Sequence, residues 1–224
     1  MQVALESRAL KGRIAARVVT TGGARGSDRA PLPLLLVHDG GEYARRAGLL
    51  RLLGRLAPLR AALVEPLERE EHYAASAAYS RALATEVLPT LDAGGPRVGL
   101  GASLGALALL HAHRARPESF DALLLQSGSY FTRATDAQER GFRRFRRIDG
   151  FVRRVLVEQP ARRIPVTVTC GRDEENLENN RAVAAALERQ GYDVRLVEHP
   201  GGHDWPAWRR ALDPHLEELL CRAT

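Results

Sequence analysis

The chain has 224 residues, 45% of them hydrophobic and 27% charged, and a formal net charge of +6 at pH 7. This length suits one α/β domain with a sizeable core and is too short for two, so we expect a single domain over residues 1–224. No stretch approaches the roughly 20 apolar residues of a membrane-spanning helix, and residues 1–10 lack the apolar core of a signal peptide. The sequence therefore predicts a cytoplasmic protein with no membrane partner.

The positive charge is spread along the chain as arginine, and Lys11 is the only lysine. Because a nucleic-acid interface gathers its cations on one face or stripe, this scatter predicts no nucleic-acid partner. Cys170 and Cys221 provide neither a disulfide framework nor the ligand spacing of a metal site. His111 and His113 lie two residues apart on a predicted helix, so they point to different faces and do not share a metal. We expect no metal and no cofactor.

Short apolar runs that alternate with amphipathic segments predict an alternation of strands and helices. The predicted strands are Val3–Leu5, Arg13–Thr20, Leu34–Val37, Ala61–Val64, the run that ends at Gly101, Ala122–Gln126, Ile164–Cys170 and Tyr192–Glu198. The predicted helices are 44–56, 74–88, 104–114, 177–190 and a last one that ends at Leu220, and a loop is predicted over 21–33. Leu34–Val37 is apolar throughout, as are strands buried on both faces of a parallel sheet. The pattern predicts an α/β fold with a mostly parallel central sheet and helices on both faces.

One stretch combines a strand, a sharp turn and a helix around a serine. Residues Gly101 to Gly105 have the sequence Gly-Ala-Ser-Leu-Gly, between an apolar run and a segment rich in Leu and Ala. Such a turn places Ser103 in a strained, exposed position, and the flanking glycines let the two backbones pass without a Cβ clash. The amide of Leu104 then lies at a helix N-terminus, where it stabilises an oxyanion. The alternative is a plain turn in which Ser103 caps the helix.

A serine hydroxyl becomes a strong nucleophile only when an imidazole takes its proton, and a carboxylate must orient that imidazole. Asp173, Glu174 and Glu175 follow a predicted strand, at the edge where α/β sheets bind ligands. Among the seven histidines, His203 lies in a glycine-flanked loop directly after the last predicted strand. Serine, acid and histidine follow each other in the order that α/β-hydrolases use. The residues themselves leave the choice among the three carboxylates open.

Two further segments border the predicted site. Gly40 and Gly41 follow the strand Leu34–Val37, and they either free backbone amides for a ligand or form a tight turn. Residues 130–163 interrupt the alternation with an amphipathic run in which arginines stand between apolar residues. An α/β enzyme carries its lid at this place, so we expect a small helical cap that lines part of the pocket with an arginine-rich rim for an acyl or anionic substrate. The alternative is a surface helix whose apolar side packs on the core.

Four motifs together resemble the esterase family of the α/β-hydrolase fold that includes enterochelin esterases, S-formylglutathione hydrolases and mycolyltransferases. They are Val37–Gly41 (Val-His-Asp-Gly-Gly), Gly101–Gly105, Gly171–Asn176 (Gly-Arg-Asp-Glu-Glu-Asn) and Pro200–Trp205 (Pro-Gly-Gly-His-Asp-Trp). The last motif is the most specific, because Gly-Gly-His-Asp followed by Trp resembles the histidine loop of the enterochelin esterases.

The resemblance implies a serine esterase that hydrolyses a small or medium-sized carboxylic ester through an acyl-enzyme. It implies Ser103 as nucleophile, His203 as general base, Glu174 as the acid, and the amides of Gly41 and Leu104 as the oxyanion hole. Two alternatives remain, an acyltransferase or thioesterase with the same triad, and a ligand-binding protein on a hydrolase scaffold without catalysis. The chain length leaves no room for the N-terminal β-domain of the enterochelin esterases, so a siderophore substrate is not part of the expectation.

Overall fold

Eight strands form one sheet in a computed structural model of the chain, which describes residues 1–22, 31–92 and 94–223. The strands are Gln2–Ser7 (β1), Gly12–Thr20 (β2), Leu32–His38 (β3), Arg60–Glu65 (β4), Gly94–Ala102 (β5), Ala122–Gln126 (β6), Pro165–Gly171 (β7) and Asp193–His199 (β8). Their spatial order is β1-β2-β4-β3-β5-β6-β7-β8. Only β1–β2 and β2–β4 are antiparallel pairs, and all other neighbours are parallel. The predicted sheet is confirmed; part of the predicted loop, residues 23–30, lies outside the described residues.

Helices connect the parallel strands. They are Gly40–Arg46 (α1), Leu49–Leu53 (α2), Arg69–Tyr73 (α3), Ala77–Ala82 (α4), Leu88–Leu91 (α5), Leu104–Ala115 (α6), Phe145–Val157 (α7), Leu177–Arg189 (α8), Trp205–Arg210 (α9) and His215–Arg222 (α10). A π-helical turn, Leu83–Val87, joins α4 to α5, and Pro117–Ser119 and Ala137–Gly141 are 3-10 turns. No helix among the described residues has both the length and the apolar character to cross a membrane.

Both faces of the sheet are covered by helices. Leu34 and Leu36 of β3 pack with α4, α6, α7 and α8 on one face, whereas Leu35 and Val37 pack with α1, α2, α9 and α10 on the other. All four side chains are fully buried, and burial of each stabilises the fold by roughly 1.5–3 kcal/mol. This two-sided burial is the reason why the strand reads as a continuous apolar run.

The helix predicted over 44–56 starts earlier and is broken. α1 begins at Gly40, directly after Asp39, whose backbone is in the left-handed region with φ 51°. Gly48, with φ 67°, then separates α1 from α2. A glycine adopts this positive φ without steric cost, so the chain changes direction between the two short helices.

The helix predicted over 74–88 begins later and continues past Pro89. Ser76 caps it, because its Oγ accepts the backbone N–H of Tyr79 at 3.3 Å. The π-helical turn shifts the hydrogen-bonding register just before Pro89, which therefore lies in the first turn of α5. A proline is tolerated at that position because its missing N–H would have no partner there.

Residues 130–163 form a helical insertion between β6 and β7. Its main element is α7, whose side chains Ile148, Phe151 and Val155 are buried in the core together with residues of α6 and α8. The arginines of this helix lie on its other side. Most of the amphipathic stripe therefore serves packing against the sheet.

Candidate active site

The carboxyl ends of the parallel strands carry the side chains that the sequence analysis identified. Ser103 follows β5, Glu174 follows β7 and His203 follows β8, and only β6 separates β5 from β7 in the sheet. The carboxyl ends of parallel strands meet at one edge of a sheet. Residues that are 100 positions apart in the chain therefore lie side by side.

The backbone at Ser103 is strained. Its φ of 56° and ψ of −123° lie outside the regions that non-glycine residues prefer. A Cβ added to Gly101 would lie 2.7 Å from the carbonyl carbon of Gly105, so only glycine permits this close approach of β5 to α6. The N–H of Ser103 donates to the carbonyl of Gln126 at 2.9 Å. These contacts hold the serine side chain out at the edge of the sheet.

His203 connects the serine to a carboxylate. Its Nε2 lies 3.0 Å from Oγ of Ser103, and its Nδ1 lies 2.8 Å from Oε2 of Glu174. The imidazole ring also stands edge-on to the indole of Trp208, with 5.0 Å between the ring centroids. With a carboxylate at Nδ1, the neutral imidazole carries its proton there, and Nε2 is left to accept the proton of the serine.

Glu174 is held as a carboxylate. Burial opposes its ionisation, but hydrogen bonds from His203, Ser127 and the amide of Gly171 outweigh burial and lower the pKa of Glu174. Its Oε1 accepts Ser127 Oγ at 2.6 Å and the Gly171 N–H at 2.7 Å. The group is therefore charged at neutral pH and has a fixed orientation towards His203.

The three acidic side chains of this loop lie in different environments. Asp173 and Glu175 are exposed to solvent, whereas Glu174 is buried and contacts His203. The loop geometry explains the difference, because the amide of Glu174 bonds to the carbonyl of Gly171 in a tight turn. This turn directs the middle residue inward and its two neighbours outward.

Sequence reasoning missed three residues that support this arrangement. Ser127 lies between Trp208 Nε1, which donates to it at 2.9 Å, and Glu174. Ser129 Oγ stands 3.0 Å from Ser103 Oγ. The two serines could have been found from the Ser-Gly-Ser segment that directly follows β6. Because β6 lies between the strands that precede Ser103 and Glu174, this segment lies near both residues.

The two backbone amides predicted for an oxyanion hole differ in whether a hydrogen-bond acceptor already occupies them. The N–H of Leu104 is the first of α6 and has no acceptor within the helix. The N–H of Gly41 donates to the carboxylate of Glu65, the last residue of β4. A Cβ on Gly41 would stand 2.7 Å from Glu65 Oε1, so a side chain at this position would disturb the contact. The amide of Gly41 is thus occupied by a carboxylate.

An ion pair fixes the loop that follows β3. The guanidinium of Arg69 bonds to both carboxylate oxygens of Asp39, at 2.8 to 3.0 Å. The ring of Tyr73 lies beneath Arg69, with 5.6 Å from the guanidinium carbon to the ring centroid. Bidentate pairs of this kind are geometrically specific, so Asp39 keeps its left-handed backbone and α1 starts at a defined place.

His38 joins the same loop to the serine turn from inside the protein. Its Nδ1 lies 3.0 Å from the carbonyl of Gly105, and its Nε2 lies 3.0 Å from the hydroxyl of Tyr79. Burial lowers the pKa of His38 to about 4. The imidazole is therefore neutral at pH 7, and since a carbonyl only accepts, the proton is on Nδ1.

A cavity of about 570 Å³ lies over Ser103 and His203. Its other lining residues are Asp39, Glu42, Arg46, Glu65, Pro66, Leu67, Arg69, Trp205 and Trp208. None of these lining residues comes from residues 130–163, so a cap formed by this segment stays a prediction. The apolar stripe of α7 is buried in the core. Among the described residues, no cluster of His, Cys, Asp or Glu could hold a metal ion.

The fold and the motifs match known proteins. A model of the family described as "Putative esterase" matches residues 24–219. An enterobactin esterase from Shigella flexneri, solved in the presence of enterobactin, has a TM-score of 0.83 and 21% identity, over 100% of this chain and 59% of that chain. The chain thus spans about three-fifths of the length of that esterase.

Two further proteins are similar over different lengths. An S-formylglutathione hydrolase from Staphylococcus aureus has a TM-score of 0.73 and 15% identity, over 100% of this chain and 98% of that chain. An acetyl esterase of Caldicellulosiruptor saccharolyticus is 36% identical over 47 residues, which are 21% of this chain and 18% of that protein. The structural matches confirm the predicted α/β-hydrolase fold.

The low pKa of His38 predicts a loss of stability in acid. Since the pKa is about 4 in the folded chain and about 6.5 when unfolded, the unfolded chain binds more protons between these values. The free energy of unfolding should therefore fall as the pH is lowered from about 6.5 to 4, by up to about 1.4 kcal/mol per pH unit for one histidine. His111 and His113, whose pKa burial also lowers to about 4, add to this slope.

Urea denaturation at pH 7, 6 and 5 measures the effect. His38→Gln should reduce the slope of unfolding free energy against pH relative to the wild type. An unchanged slope would mean that His38 is already protonated in the folded chain or that it is accessible to solvent.

Proposed function

This chain belongs to the esterase family whose model it matches, as its motifs predict, and we propose that it is a serine hydrolase of carboxylic esters. The observation that carries the proposal is the unbroken hydrogen-bond chain from Glu174 through His203 to Ser103. The series of hydrogen bonds ends on a serine whose strained backbone exposes the hydroxyl at a cavity. These features are what an activated nucleophile requires.

The proposed reaction has two halves. Ser103 Oγ attacks the ester carbonyl carbon while its proton passes to Nε2 of His203, and Glu174 stabilises the imidazolium that forms. The tetrahedral intermediate collapses when His203 returns the proton to the leaving alcohol oxygen, and an acyl-enzyme remains. Water then attacks the acyl-enzyme with the same proton transfers in reverse order. No step requires a metal or a cofactor.

The amides of Leu104 and Gly41 are the proposed donors to the oxyanion. Leu104 supports this role because its N–H lies at the start of α6, next to the nucleophile. Gly41 can donate only after the Glu65 side chain has turned away, since Glu65 accepts that N–H in the unliganded chain. Substrate binding would therefore include displacement of one carboxylate.

The cavity supports a small or medium-sized ester. Its volume of about 570 Å³ lies within the usual range for small-molecule sites. Trp205 and Trp208 form a T-shaped pair at its wall, which offers an apolar surface to the acyl or alcohol group.

The absence of a disulfide between Cys170 and Cys221 suits a reducing compartment, and we propose the cytoplasm as the location of the protein.

Replacement of Ser103 should abolish the activity. Without the nucleophile, Ser103→Ala should lower kcat for an aryl acetate by about 10⁴-fold or more and should form no adduct with a fluorophosphonate. Ser129→Ala is the comparison, because it removes the hydroxyl 3.0 Å from Ser103 Oγ and leaves the pair of Ser103 with His203 in place; it should keep the adduct. Intact-mass spectrometry measures the labelling. An adduct on the Ser103→Ala variant would refute the assignment of Ser103 as the nucleophile.

The three neighbouring carboxylates offer an internal test of the acid. Glu174→Gln removes the charge that orients His203, and we expect a loss of kcat of at least about 100-fold. Asp173→Asn and Glu175→Gln change exposed side chains beside it and should stay within about twofold of the wild type. Equal losses in all three variants would show that the charge of the loop matters and not the contact with His203.

Removal of the Glu65 carboxylate tests the role of Gly41. Glu65→Ala frees the Gly41 N–H and takes a negative charge away from the proposed oxyanion, so kcat should rise several-fold. Glu42→Ala is the control, since Glu42 lines the same cavity and bonds to Arg45. If Glu65→Ala instead loses activity while Glu42→Ala does not, the Gly41 amide is not an oxyanion donor.

A further inference from the structure

A second cavity, also of about 570 Å³, is lined mainly by arginine. All of its lining residues belong to the insertion between β6 and β7: Arg133, Arg140, Phe142, Arg143, Arg144, Phe145, Arg146 and Arg147. It shares no lining residue with the cavity over Ser103. The chemical steps proposed above involve none of its residues.

The positive charge of this cavity is only partly neutralised. Glu71 of α3 pairs with Arg144 and Arg147. Over the described ranges 1–22, 31–92 and 94–223, the side chains of the other four lining arginines make no ion pair; these are Arg133, Arg140, Arg143 and Arg146. Like charges that converge on a concave surface repel each other, so an anion bound there would relieve the repulsion.

One lining arginine also has an unmet hydrogen-bond donor. Nε of Arg144 is buried and has no acceptor among the residues that the structure describes. A buried donor without an acceptor costs about 1–3 kcal/mol.

The shape and chemistry of the cavity point to a small ligand. Guanidinium groups match the oxygens of phosphate and carboxylate groups better than any other side chain does. Phe142 and Phe145 add apolar surface to the wall, and the volume corresponds to a small-molecule site. We propose that this cavity binds a small, multiply charged oxoanion of the phosphate or polycarboxylate type.

The cavity lies close to the serine site. Ser129 contacts Ser103, and four residues of chain lead from Ser129 to Arg133, a span of at most about 14 Å. The helix α3 connects the two cavities as well, because Arg69 lines one and Glu71 bonds to arginines of the other. The oxoanion therefore has two possible sources, a group on the ester substrate itself or a separate anion that affects hydrolysis.

Isothermal titration calorimetry with inorganic pyrophosphate at low ionic strength tests the binding. The test variant is Arg143→Gln with Arg146→Gln, since both side chains are exposed and their replacement should not disturb the core. The control is Arg116→Gln with Arg189→Gln, which removes the same net charge from exposed positions outside the cavity. The wild type should bind one pyrophosphate, the test variant at least tenfold more weakly, and the control within twofold of the wild type.

Two outcomes would overturn the inference. The first is a wild type that does not bind pyrophosphate. The second is an equal loss in the test and control variants, because diffuse attraction to the net charge would then explain the binding. Binding does not depend on catalysis, so Ser103→Ala should bind pyrophosphate like the wild type. A chain that binds pyrophosphate but hydrolyses no ester would refute the proposed function and leave this inference standing.

Kinetics separate the two sources of the oxoanion. If the group belongs to the substrate, the test variant should raise KM at least tenfold for an aryl ester that carries a phosphate and leave KM for the neutral parent ester unchanged. If the anion is separate, pyrophosphate should change the hydrolysis of the neutral ester by the wild type and not by the test variant. Either result supports the oxoanion site.

Discussion

The strained backbone at Ser103 is the constraint on which the rest of the site depends. A non-glycine residue with φ near 56° costs on the order of 1–3 kcal/mol, and the structure must prevent its relaxation. β5 does so because it lies in the middle of the sheet and is covered on both faces. The backbone of β5 at Gly101 also lies so close to the backbone of α6 at Gly105 that a Cβ on Gly101 would clash with it. Every other group of the site is positioned relative to this turn.

A network of buried hydrogen bonds connects helices of one face of the sheet to the carboxylate of Glu174. Tyr43 of α1 donates its hydroxyl proton to Gln126 Oε1 at 2.7 Å, and Gln126 Nε2 donates to the carbonyl of Trp208 at 2.9 Å. Trp208 in turn donates to Ser127, which donates to Glu174. Since a buried polar group without a partner is costly, each bond restricts the next. The carboxylate that orients His203 is thus tied to helices on the face opposite α6.

The arginines lie in two kinds of environment. Many of them form separate ion pairs at the surface, such as Arg55 with Asp213 and Arg222 with Asp193. Those between residues 133 and 147 instead converge on one cavity. These arginines lie in and around a short 3-10 turn, Ala137–Gly141, and the start of α7. The density of arginine between residues 140 and 147 is visible in the sequence, but the cavity that these side chains line is a feature of the tertiary structure.

The sequence by itself determined the α/β fold, the succession of the eight strands along the chain, and the turn at Ser103. Apolar periodicity and glycine spacing are local properties, so they can be read from the sequence. It also limited the candidates for the proposed acid to three neighbouring carboxylates. Only the tertiary structure decided that Glu174 turns inward, that Glu65 occupies the Gly41 amide, and that the apolar side of α7 packs on the core. Each of these depends on contacts between segments far apart in the chain, and such contacts leave no local pattern.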